Sequence, residues 1–92
     1  MIVEVTTEDI EDGTPAAADR CPIALAILRK QGVRDVYVND DEIVVMRVST
    51  TDYYQPPTEF VNRFDRGKDV QPLKFEATRI NSFPQLASVH LI

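Results

Sequence analysis

Among its 92 residues the chain has no tryptophan, one cysteine and one histidine. The lone Cys21 excludes an intrachain disulfide framework, and the lone His90 excludes a histidine-rich metal cage. Only three glycines occur, at 13, 32 and 67, each isolated, so no glycine-rich loop is present to cradle a phosphate. No apolar run approaches the roughly 18 residues that cross a membrane. Met1-Ile2-Val3-Glu4 has neither a basic start nor an apolar stretch behind it, which predicts a cytoplasmic protein rather than an exported one. Bases are also scarce, with ten Lys+Arg against fifteen Asp+Glu and a net charge of -5. That is the wrong sign for a protein that tracks nucleic-acid phosphates.

What is present fits one domain spanning 1–92, since domains run about 50–250 residues. Six prolines, at 15, 22, 56, 57, 72 and 84, punctuate short periodic segments. Ile2 to Thr6 alternates as a strand, with Val3 and Val5 on one face. Thr6 or Thr7 is placed to cap a helical turn over Glu8–Asp12, whose acids suit the positive end of the dipole. From about Asp19 to Gln31 the apolar arc Ile23, Ala24, Ile27 and Leu28 predicts a helix, with Pro22 in the first turn and Gly32 as its stop. Val33–Val38 and Glu42–Thr50 read as a hairpin about the turn Asn39-Asp40-Asp41. Ile43-Val44-Val45-Met46 is apolar without a break, which points to a strand covered on both faces or to a bulge.

Thr50 to Pro57 reads as a loop. A second helix follows, capped near Thr58, with Phe60, Val61 and Phe64 as its stripe and Gly67 as its stop. Val70 to Thr78 reads as a strand, Asn81-Ser82-Phe83-Pro84 as a turn and Ala87–Leu91 as a short edge strand in which His90 faces solvent. The order strand, helix, strand, strand, helix, strand predicts an α+β, ferredoxin-like βαββαβ sandwich. In it, one antiparallel sheet carries two helices on one face, residues 1–79 form the core and 80–92 an extension. A meander whose helices pack differently, with the last strand added at an edge, is the alternative.

Few side chains here suggest chemistry. Cys21 at a helix start is the one candidate nucleophile, because helix N–H groups can stabilise a thiolate. No second cysteine accompanies it, so burial as a small hydrophobe is the competing reading. Asp40-Asp41-Glu42 lacks the spacing and the glycine of a calcium loop and reads as a solvated turn. The expectation is therefore no catalytic residue, no cofactor and no metal. Contact with another protein is better supported. Tyr53 and Tyr54 beside Pro56-Pro57 offer amphipathic area at low entropic cost. Acids are concentrated in residues 1–42, in the clusters Glu8, Asp9, Glu11, Asp12 and Asp40, Asp41, Glu42, which suit a basic partner.

Val5-Thr6-Thr7-Glu8-Asp9-Ile10, Cys21-Pro22-Ile23-Ala24-Leu25-Ala26 and the helix end Phe64-Asp65-Arg66-Gly67 resemble a recurrent set of short phage and prophage proteins. The likeness spans residues 3–79, and its motifs describe caps and core positions rather than a site. It implies a phage accessory protein in the host cytoplasm, some of which inhibit bacterial defence complexes. The function expected on these grounds is a non-enzymatic interaction module that binds a protein or nucleoprotein complex of the host. A homo-oligomeric module, such as a homodimer, and a small thiol enzyme or redox protein using Cys21 are the alternatives.

Overall fold

The structure, a computed structural model, describes residues 1–84. The expected strand Ala87–Leu91 and His90 lie outside the described residues. Elements run β1 (Ile2–Val5), α1 (Thr7–Asp12), α2 (Pro22–Leu28), β2 (Val33–Val38), β3 (Ile43–Arg47), β4 (Thr50–Tyr54), α3 (Thr58–Asp65), β5 (Leu73–Glu76) and β6 (Arg79–Pro84). The class is α+β, with three helices and two antiparallel sheets.

α1 and α2 begin where side chains or proline satisfy their first turns, whereas α3 starts after Pro57 without a side-chain cap, the Thr58 hydroxyl donating instead to the Asp40 carbonyl. Thr6 and Asp9 form a reciprocal capping box: Asp9 N–H donates to Thr6 Oγ1 at 3.2 Å, and Thr6 N–H donates to Asp9 Oδ2 at 2.9 Å. α2 starts later than periodicity suggests, with Cys21 as N-cap and Pro22 at its first position, where a missing N–H costs nothing. Gly67, at φ +73°, follows the C-cap Arg66 and ends α3 in the left-handed geometry, whereas Gly32, at φ +85°, lies in the turn before β2: α2 stops earlier than expected, at Leu28 with Arg29 as its C-cap. Gly13 has a different reason for being glycine. Its φ is an ordinary -71°, but an added Cβ would stand 2.7 Å from Pro22 Cδ and 2.9 Å from the Asp9 carbonyl oxygen.

The expected single sheet is divided, and this corrects the ferredoxin-like arrangement. Two of its pairings are present: β1 with β5, and β2 with β3, both antiparallel. The pairing of β1 with β3 is replaced. Residues 48 and 49 turn tightly, so Thr50–Tyr54 pairs with β3 as β4 instead of forming a loop. β6 then adds to β4 where a turn was expected, giving a four-stranded order β2-β3-β4-β6. A strand at both of its edges leaves β3 no free side for β1, which pairs with β5 in a separate ribbon. The meander named as the alternative describes this sheet more closely than the sandwich does.

One face of the four-stranded sheet is the inside of the protein. Val36, Val38, Ile43, Val45 and Tyr54 are buried there with Ile23, Ala24 and Ile27 of α2 and Val3 and Val5 of β1. Burying a side chain of this size contributes about 1.5–3 kcal/mol. Asp52 lies among them at 4% exposure, and no buried side-chain nitrogen or oxygen among the described residues lacks a partner. It accepts from Arg47 Nε at 2.9 Å, from Thr50 Oγ1 at 3.3 Å and from the Ser82 hydroxyl, so it joins β3, β4 and β6.

Candidate functional site

Because successive strand residues point to opposite faces, each inward residue is followed by an outward one. The register sets Tyr37 opposite Val44, Val44 opposite Tyr53 and Tyr53 opposite Asn81. One step along, Asp35 faces Met46, Met46 faces Thr51 and Thr51 faces Phe83. Tyr37, Val44, Met46, Tyr53 and Phe83 thus share the outward face, away from α2. Tyr37 is 42% exposed and Phe83 48%, while the three between them are half-buried. Tyr53 and Phe83 meet edge to face, with centroids 5.8 Å apart and planes at 86°. That geometry is favourable for an aromatic pair.

The two tyrosines expected to act together are separated by this alternation. Tyr53 belongs to the outward face, whereas Tyr54 is 5% exposed and its hydroxyl accepts from Arg47 Nη2 at 2.8 Å. The first acidic cluster is divided in the same way. Glu8, Glu11 and Asp12 are exposed, but Asp9 is buried against Arg29, whose Nη2 donates to Asp9 Oδ2 at 2.9 Å. Burial alone would raise the Asp9 carboxyl; hydrogen bonds from Arg29 and Thr6 outweigh it and hold the group below its usual range. Asp40 and Asp41 are exposed and Glu42 is half-buried. Asn39 Oδ1 accepts from the N–H groups of Asp41 and Glu42 at 2.8 and 2.9 Å and fixes that turn.

Cys21 sits at the floor of a cleft of about 360 Å³ between the 16–18 loop, the start of α2 and α3. Its Sγ accepts from Ala24 N–H at 3.4 Å, and burial pushes the thiol above its ordinary value. A thiol so placed stays protonated at neutral pH, the opposite of what nucleophilic chemistry requires. Ala16, at φ +58°, forms part of the wall and donates its N–H to Asp65 Oδ1 at 3.0 Å. Among the described residues no three His, Cys, Asp or Glu side chains converge to hold a metal ion, and no helix is long and apolar enough to cross a membrane.

Tyr37, Val44, Met46 and Phe83 were not singled out from the sequence. Sequence pattern places Tyr53 in a loop and Phe83 in a turn, which gives them no strand face to share with Tyr37. Comparison with protein-family models, curated proteins and solved structures finds no match to this chain.

Proposed function

We propose that this chain is a non-enzymatic module that binds another protein through the outward face of its four-stranded sheet. The observation that carries the reading is the row Tyr37, Val44, Met46, Tyr53 and Phe83 on that face, with both flanking aromatics nearly half exposed. Rigid aromatics beside aliphatic area are the composition of binding hot spots. One acid, Asp35, stands on the same side opposite Met46, so the face favours an apolar partner surface with a basic rim over a nucleic-acid backbone. Tyr54 and Asp9 are inside the protein and drop out of the contact surface. Glu8, Glu11 and Asp12 belong to α1, which packs with α2 on the other side of the sheet, so they lie off this face, and Asp40 and Asp41 remain as exposed charges on the β2–β3 turn that steer association. The resemblance to short phage and prophage proteins extends the proposal to an inhibitor that sterically blocks a host or defence complex in the bacterial cytoplasm.

The test is affinity capture from a bacterial lysate, followed by titration of the captured protein against the Tyr53→Ser, Phe83→Ser double variant. Two lost aromatic anchors should weaken binding by at least about 100-fold, while the thermal melt confirms the fold. Unchanged affinity in a folded variant overturns the proposal. Light scattering separates the self-association alternative: a mass that doubles with concentration, and reverts in the double variant, assigns the face to a second copy.

A further inference from the structure

The cleft over Cys21 lies on the opposite side of the four-stranded sheet from the outward face, because Val38, an inward residue, lines it. Pro22, Ile23, Val38, Val61 and Phe64 are buried along its floor, and Phe60 is half-buried beside them. Its volume of about 360 Å³ falls in the range of small-molecule sites, about 300–1,000 Å³. Such sites combine an apolar lining with a few polar groups that orient the ligand. The polar side chains lining this one are Asn39, Asp40, Asn62 and Asp65.

Their charge is of one sign. Asp40 and Asp65 are exposed, and neither is part of an ion pair among the described residues. No Lys, Arg or His is among the described residues that line the cleft. Asn39 Oδ1 is occupied by its own turn, but the half-buried Asn62 side chain has no hydrogen-bond partner among the described residues. Asp65 Oδ1 accepts from the Ala16 N–H at 3.0 Å, which ties the carboxylate to the cleft wall and leaves Oδ2 open. Its charge is felt at the floor: burial first, and Asp65 in addition, raise the Cys21 thiol. An apolar cavity alone takes any ligand that fits it; two unpaired carboxylates on its lining favour a cation over an anion of the same size. We propose that this cleft binds a small organic cation, a primary amine on an apolar body, with the body against Ile23, Val61 and Phe64 and the ammonium toward Asp40 and Asp65. The three N–H donors of an ammonium match in number the acceptors that Asp40, Asp65 and Asn62 offer. The inference concerns a different surface from the protein-binding face and does not rest on it.

The probe is 2-phenylethylamine, an ammonium at neutral pH, with 2-phenylethanol and 3-phenylpropanoate as neutral and anionic comparators of similar size. Titrated into 15N-labelled protein at fixed ionic strength, the amine should shift the Ala17, Ala18 and Val61 amide signals saturably, with a Kd below about 5 mM. The alcohol and the carboxylate should each bind at least about threefold more weakly. The Asp40→Asn, Asp65→Asn variant should lose at least about threefold for the amine; asparagine at 65 keeps an acceptor for the Ala16 N–H, so the wall is retained. The Glu11→Gln, Asp35→Asn variant changes net charge equally away from the cleft and should bind as the parent does. An amine preference below about threefold, a double variant that binds as well as this control, shifts centred outside the cleft, or a Kd above about 5 mM overturns it. The three-ligand comparison uses the unaltered chain, so it decides the matter whatever the stability of the variants. None of these results touches the Tyr53→Ser, Phe83→Ser comparison, so the two readings fail separately.

Discussion

Replacing Asp52 by alanine removes one buried carboxylate that three strands share. The lost contacts are the charge-assisted bond from Arg47 Nε at 2.9 Å, that from Thr50 at 3.3 Å and that from the Ser82 hydroxyl. Breaking a fully buried ion pair on one side costs about 3–5 kcal/mol, because the other charge stays buried. Arg47 is 27% exposed and keeps the Tyr54 hydroxyl, so water and that bond offset part of the loss. We expect Asp52→Ala to cost about 2–3 kcal/mol, a large share of the ~5–15 kcal/mol that holds a domain together. For a chain of this length that lowers Tm by roughly 10–20 °C. Asp52→Asn, which keeps an acceptor and loses the charge, should cost about half as much. Urea melts followed by circular dichroism give the free energies. Hydrogen exchange should show the β6 amides opening first, since Ser82 anchors that strand to Asp52. A loss below about 0.5 kcal/mol for Asp52→Ala, or no acceleration in β6, refutes the role assigned to this carboxylate.

Three further outcomes follow from the same geometry. The depressed Asp9 carboxyl contributes stability that is present above the ordinary carboxylate pKa of about 3.9 and is lost as pH falls through the folded-state value. Arg29→Ala should therefore cost about 1 kcal/mol at neutral pH, with the gap from the parent closing below about pH 4; a gap constant down to pH 3 refutes it. Gly13→Ala should destabilise by at least about 1 kcal/mol through its clash with Pro22 and the Asp9 carbonyl. Gly67→Ala meets no atom within 4 Å and should show only the left-handed backbone cost of about 1 kcal/mol. Structures of the two variants distinguish a shifted Pro22 from an undisturbed surface. Cys21 should react with a thiol reagent at the rate of unfolding, rising steeply with urea; rapid labelling of the native protein would favour the redox alternative.

Local patterns were enough to read the α+β class, a cap for α1 at Thr6 or Thr7, Pro22 in the first turn of α2, the hairpin turn at Asn39 and the apolar stripe of α3, although they set the boundaries of α2 too wide. Each of these is decided within a few residues, by side-chain-to-backbone hydrogen bonds, proline geometry or apolar spacing. Which strands pair is decided at a distance. Thr50–Tyr54 follows β3 through a two-residue turn but is hidden in the sequence by its polar residues and the prolines after it, whereas Arg79–Pro84 has turn-like composition and becomes a strand because it completes the hydrogen bonds of β4, far earlier in the chain. The same tertiary pairing turns Tyr53 outward and Tyr54 inward, takes Asp9 into the interior beside Arg29, and assembles Tyr37, Tyr53 and Phe83 on one face. Sequence thus determined the local elements and the sign of the surface charge. Only long-range strand register decided which of its aromatic and acidic side chains can be touched.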